Sequence, residues 1–200
     1  MAANDLIVVV PGIMGSTLSF DGRNVWTSRP LTVLAALARF GQHLRQLQLP
    51  EDIGDNPPND GIYPEDLMPS THQIPGLWSP IHGYESLVRR MRETRRRLGD
   101  TDESRTLNPV VFPYDWRLSN RYTARRLKVF VETALDAWRR HSPQNRDAHV
   151  IFVCHSMGGL IARWYIGLEG GSALTRKLIT LGTPYRGSIK ALSALASIHG

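Results

Sequence analysis

Leu6-Ile7-Val8-Val9-Val10 is an unbroken, mostly β-branched apolar run that Pro11 and Gly12 close. A strand with no polar alternation is one buried on both faces, as in a parallel sheet covered by helices. In residues 31–47, Leu34, Leu37, Phe40, Leu44 and Leu47 recur at spacings of three and four, which predicts an amphipathic helix. Further on, the pattern predicts a helix over 84–98, a short strand over 108–114 around Val110, Val111 and Phe112, and a helix over 120–140. The last of these has Leu127, Phe130, Val131, Leu135 and Trp138 as its buried stripe. A buried strand over 149–154, a helix over 157–168 and a strand over 177–181 follow, and residues 188–198 begin another apolar helical stripe. Strict alternation of strand and helix implies right-handed crossovers and a parallel sheet with helices on its faces. Only the stretch of about 48–83 breaks this rhythm. Its prolines at 50, 57, 58, 64, 69, 75 and 80 predict a long, mostly irregular, lid-like excursion.

The composition of 42% hydrophobic and 21% charged residues over 200 positions allows one buried core and excludes a disordered or collagen-like chain. No apolar run approaches the roughly 20 residues of a membrane span, and no secretory leader pattern precedes the first strand. With one cysteine, Cys154, the chain makes no internal disulfide, so a cytosolic setting is the default. The net charge of +6 is regional: residues 86–146 hold 15 of the 24 basic and 7 of the 18 acidic side chains. Clusters at Arg89, Arg90, Arg92, Arg95, Arg96 and Arg97, and at Arg125, Arg126, Arg139 and Arg140, read first as solvated faces. An anionic membrane surface is the partner they would suit before a nucleic acid. No phosphate-binding glycine loop follows a strand and no His, Cys or acidic cluster has metal-ligand spacing, so neither a cofactor nor a metal is expected.

The candidate chemistry is concentrated in Val153-Cys154-His155-Ser156-Met157-Gly158-Gly159, where a buried strand meets a helix. That is the setting of a nucleophile elbow, in which a tight turn lifts a serine hydroxyl above the carboxyl edge of the sheet. The helix behind it presents free amides and a partial positive charge toward developing negative charge, and Met157 N–H is one candidate oxyanion donor. The elbow pattern G-x-S-x-G has cysteine here at its first position. A glycine-bracketed turn, Gly12-Ile13-Met14-Gly15, ends the first strand and offers Ile13 N–H as the second donor. A serine before a helix is also a common N-cap, and the sequence leaves that reading open.

Four segments, Val9 to Ser16, Pro113 to Arg117, His155 to Gly159 and Leu181 to Ser188, resemble the lecithin:cholesterol acyltransferase-like group of α/β-hydrolases in residue type and in order. The resemblance implies a three-layer α/β sandwich with a mainly parallel sheet, of which this chain carries the N-terminal part. It also implies a serine-dependent lipid ester hydrolase or O-acyltransferase that works through an acyl-enzyme. Ser156 would be the nucleophile, Ile13 and Met157 the oxyanion donors, and an acyl ester or phospholipid the substrate. Met14, Tyr114 and Trp116 would line the substrate site. Asp115 and Arg117 read equally well as pocket wall and as a structural corner.

No base or acid for the serine is identifiable. In this fold both follow later strands, and 19 residues remain after Leu181, so the missing partners are expected in a further C-terminal part of the same chain and little ester hydrolysis from these residues alone. His155 is expected to pack away from the hydroxyl, His72 and His82 to be loop residues, and His199 to lack a strand to hold it. The strand at 178–181 would then be an edge that missing neighbours cover. Two alternatives stay open: a non-catalytic hydrolase-like binding or regulatory module, and an interfacial binding protein that meets anionic lipid through the arginines and Leu77-Trp78.

Overall fold

The computed structural model describes residues 4–26, 47–49, 53–68, 84–99 and 107–189. Its elements are β1 (Leu6–Val10), β2 (Ser16–Phe20), β3 (Arg23–Trp26), β4 (Ile62–Leu67), α1 (Tyr84–Arg97), β5 (Val110–Val111), α2 (Asn120–His141), β6 (Val150–His155), α3 (Met157–Leu168) and β7 (Thr175–Leu181). The helix predicted over 31–47 and most of the one begun at 188 lie outside the described residues.

The sheet is parallel, in the order β5-β1-β6-β7, with β1 in register from Leu6 against Val150 to Val10 against Cys154. Its two faces are covered by different helices. Leu6, Val8, Val10, Val150, Phe152 and Cys154 pack with Leu127, Val131 and Leu135 of α2 and Ile161, Ala162 and Tyr165 of α3. Val9 and its neighbours Ile7 and Val111 face the other way, against Tyr84, Val88 and Met91 of α1. Each large aliphatic side chain taken fully out of water contributes about 1.5–3 kcal/mol, so the continuous apolar run of β1 is what three layers require. Among the described residues β7 is an edge strand, and Ile179 and Leu181 stay exposed.

The excursion departs from expectation. β4 lies within it and pairs antiparallel with β2, which also pairs with β3, forming a three-stranded sheet in the order β3-β2-β4. Gly61 and Pro64 signal irregular chain, yet Pro64 sits on an edge strand beside a register shift, where a missing N–H breaks no ladder. The loop that precedes β4 is fixed as well. Asp55 accepts from Ser119 Oγ at 2.6 Å and pairs with Arg121 and Arg125, and Asp60 pairs with Arg117 at 2.9 Å. Ser119 is at the same time the N-cap of α2, accepting from Tyr122 N–H at 3.1 Å.

The amino edge of the parallel sheet is tied by polar groups. Asp5 accepts from His149 N–H at 2.9 Å and pairs with Arg176. Asn108, fully buried, accepts from Ile7 N–H and donates to the Asp5 carbonyl, both at 2.9 Å. With that edge closed, the opposite, carboxyl edge is where the loops carrying Ile13, Ser156 and Thr183 gather.

Candidate active site at the carboxyl edge of the sheet

Ser156 joins β6 to α3 with φ 48° and ψ −120°. An N-cap serine has extended backbone and bonds its side chain to the helix; this one has neither feature, and its hydroxyl has no partner among the described residues. A non-glycine residue held at such angles costs of order 1–3 kcal/mol and persists only where its surroundings over-determine it. Those surroundings are visible. Ser156 N–H donates to the Leu181 carbonyl at 2.9 Å, and Gly159 N–H donates to the Ser156 carbonyl at 3.1 Å. Gly158 lets α3 begin directly over β1: a Cβ there would run into the Pro11 carbonyl oxygen and lie 2.6 Å from that of Val10.

Beside the elbow, the Gly12-Ile13-Met14-Gly15 turn is closed by Gly15 N–H donating to the Gly12 carbonyl at 3.0 Å. Met14 has φ 60°, the second central position that type II turns give to glycine. Ile13 and Met14 are both exposed, and neither the Ile13 nor the Met157 amide meets an acceptor among the described residues. The turn and the start of α3 thus each carry an amide without an acceptor among the described residues. The turn touches the elbow itself, since a Cβ on Gly12 would lie 2.9 Å from His155 Nδ1 and 3.0 Å from Ser156 Cβ.

His155 points toward Tyr84, with Nδ1 2.8 Å from the Tyr84 hydroxyl. Its half-burial lowers its pKa, favouring the neutral ring. Cys154 is buried and burial pushes its thiol up to about 12, so at the first motif position it acts as a small apolar residue and not as a nucleophile.

The three expected substrate-site residues separate. Met14 is exposed within the turn. Trp116 is half-buried, packs edge-on against Trp26 at 5.3 Å, and has an indole N–H with no partner among the described residues; Trp26 in turn donates to the Met14 carbonyl at 3.4 Å. Tyr114 is turned into the core. It is 3% exposed, its hydroxyl donates to the Pro11 carbonyl at 2.9 Å and its amide donates to Ser16 Oγ at 3.0 Å. Its ring therefore supports the turn from behind, because the chain direction after β5 carries it into the core. Asp115 and Arg117 form a corner: the guanidinium meets Asp115 Oδ2 at 2.6 Å and Asp60 at 2.9 Å, and both partners of the first pair are nearly sealed from solvent.

Sequence reasoning singled out neither Tyr84 nor Trp26; a tyrosine opening a helix and a tryptophan in a polar-laced strand carry no local signal of a site. The arginine cluster of α1 leads away from Ser156. Helix α1 starts with Tyr84 at the elbow, runs about 21 Å at 1.5 Å per residue, and brings Arg95 over Trp138, whose indole N–H donates to the Asn4 carbonyl at the amino edge. The basic end therefore lies at the far side of the sheet. His72, Leu77, Trp78, His82 and His199 lie outside the described residues. Among the described residues there is no metal-ligand cluster and no helix long and apolar enough to cross a membrane.

Residues 102–199 match the model of the lecithin:cholesterol acyltransferase family. Three of the four resembling segments, from Pro113, His155 and Leu181 onward, fall within the match, and the Gly12–Gly15 turn precedes it. The crystal structure of the Tle4-Tli4 complex contains a chain with the same arrangement, at TM-score 0.57 and 20% identity, over 93% of this chain and 47% of that one. The chain thus spans about half the length of the solved relative and has the α/β-hydrolase fold class with a mainly parallel sheet. No curated protein matches it.

Proposed function

We propose that this chain carries the nucleophile and oxyanion hole of a serine-dependent lipid ester hydrolase or O-acyltransferase. One observation carries the reading: Ser156 is held at φ 48°, ψ −120° between β6 and α3 with its hydroxyl unused by the helix it precedes. Such strain is retained where a side chain must be aimed.

In the proposed reaction Ser156 Oγ attacks the ester carbonyl carbon as its proton passes to a base. The carbonyl electrons move onto oxygen, where the Ile13 and Met157 amides receive the negative charge. Collapse expels the alcohol, which takes up the proton, and leaves an acyl group on Ser156; water or a lipid hydroxyl then attacks that acyl carbon as its proton passes to the base, and cleavage of the acyl–Oγ bond releases the product and returns the proton to Ser156. The base and its orienting acid come from outside the described residues. Met14 and Trp116 are the proposed contacts for the acyl or headgroup part. Two amides in a preorganised hole are worth about 3–4 kcal/mol each of barrier lowering where such donors have been removed.

The test is turnover of a phospholipid and of a short-chain ester by the natural full-length protein and by Ser156→Ala. The reading predicts a loss of about a thousandfold or more in the variant with the fold intact. Equal turnover would remove Ser156 from the mechanism, and no turnover by either protein would favour a non-catalytic module.

A further inference from the structure

We propose that Tyr84 is a positioning residue that clamps the oxyanion turn onto the nucleophile elbow, with one hydroxyl shared between the Gly12 amide and the His155 imidazole. The inference rests on the reading of Ser156 and Ile13 as catalytic groups.

Tyr84 is the first residue of α1 and is 4% exposed. Gly12 N–H donates to its oxygen at 2.8 Å, and that oxygen is 2.8 Å from His155 Nδ1. Gly12 immediately precedes Ile13, and His155 immediately precedes Ser156, so the bridge joins the two loops one residue behind each reacting group. The proton count is consistent. With Gly12 N–H as donor to the oxygen, the hydroxyl proton goes to Nδ1 of a neutral His155, and the ring carries its own proton on Nε2.

The ring acts on the same turn. A Cβ on Gly15 would lie 2.9 Å from Tyr84 Cε2, so the aromatic edge backs one end of the turn while the hydroxyl holds the other. Tyr84 also packs edge-on against the His155 ring, with centroids 5.9 Å apart. These contacts hold a turn that has a methionine at positive φ against the residue before Ser156. An oxyanion donor moved by a fraction of an ångström is a poor donor, and such displacement appears in the chemical step rather than in substrate affinity.

The experiment compares Tyr84→Phe with wild type in the natural full-length protein. The variant keeps the ring and removes only the oxygen. Expected results are a fall in kcat of about ten- to a hundredfold with KM changed less than about twofold, and faster hydrogen exchange at the Gly12 amide. His155→Leu, which cuts the other arm, should lower kcat too, and the double variant should lose less than the product of the two single losses. A Tyr84→Phe protein with wild-type kcat and wild-type protection at Gly12 overturns the clamp. If wild type and Ser156→Ala are equally inactive, the catalytic reading fails instead, and unchanged exchange at Gly12 in Tyr84→Phe still sinks the bridge.

Discussion

Gly12 and Ser156 are in van der Waals contact: the elbow serine stands so close to the turn after β1 that a methyl group on Gly12 would sit 3.0 Å from Ser156 Cβ. Gly12→Ala must push either His155 or Ser156 aside. The expected outcome is a stability loss of about 1–3 kcal/mol by denaturant titration, typical of overpacking, and a fall in turnover of more than about tenfold. Turnover equal to wild type would mean that the turn and the elbow are not mechanically joined.

Two glycines of α3 should respond in opposite directions to alanine. At Gly158 the obstacle is the backbone of β1, the carbonyl oxygens of Val10 and Pro11, which cannot yield without displacing the central strand. Gly167 is exposed with nothing near its Cβ direction. Gly158→Ala should destabilise by several kcal/mol, of order 3 or more, whereas Gly167→Ala should stabilise by up to about 1 kcal/mol through helix propensity. Equal shifts in denaturation midpoint would contradict the close approach of α3 to β1.

Asp115 and Arg117 are structural if their pairing is what matters. Removing the guanidinium leaves a carboxylate that is 6% exposed without its partner, which costs about 3–5 kcal/mol in comparable buried pairs. Arg117→Met should lower the melting temperature strongly. At a temperature where the variant is folded, labelling of Ser156 should stay near the wild-type rate; its loss in a folded variant would assign the pair to the chemistry.

Burial lowers the pKa of His155 below its usual 6.5. The unfolded chain therefore binds the proton more readily than the native one. The neutral imidazole's contribution to stability is complete above pH 6.5 and drains away as the pH falls through the lowered native value. His155→Gln should flatten that part of the stability profile. Parallel profiles for the two proteins, measured by denaturation at successive pH values, would show that His155 does not titrate differently on folding.

The sequence was most legible where hydrophobic pattern alone decides structure. β1 and α3 match their predicted limits to the residue, because a continuous β-branched run and a stripe behind a serine have no competing reading. It was least legible in β2, where Ser16, Thr17 and Ser19 are buried. Their hydroxyls bond the backbone of neighbouring segments: Ser16 receives Tyr114 N–H, Thr17 receives Asp66 N–H and Ser19 donates to the Tyr63 carbonyl. A buried hydroxyl satisfied by distant backbone looks like a loop residue in one dimension. The same holds at the site. Ser156, Ile13 and Met157 could be proposed from motif and context, whereas Tyr84 enters through a contact spanning 71 residues with His155 that no local pattern encodes. The position of Tyr114 at a strand end was visible in the sequence, and its direction into the core was not.

The central claim is that Ser156 is a nucleophile, and covalent labelling tests it most directly. Exposing the natural full-length protein to a fluorophosphonate probe and locating the adduct by peptide mass spectrometry should give a single modified residue, Ser156, with no adduct on Ser156→Ala and a slower reaction in Gly12→Ala. An unmodified Ser156, or equal labelling of wild type and Ser156→Ala, would contradict the account.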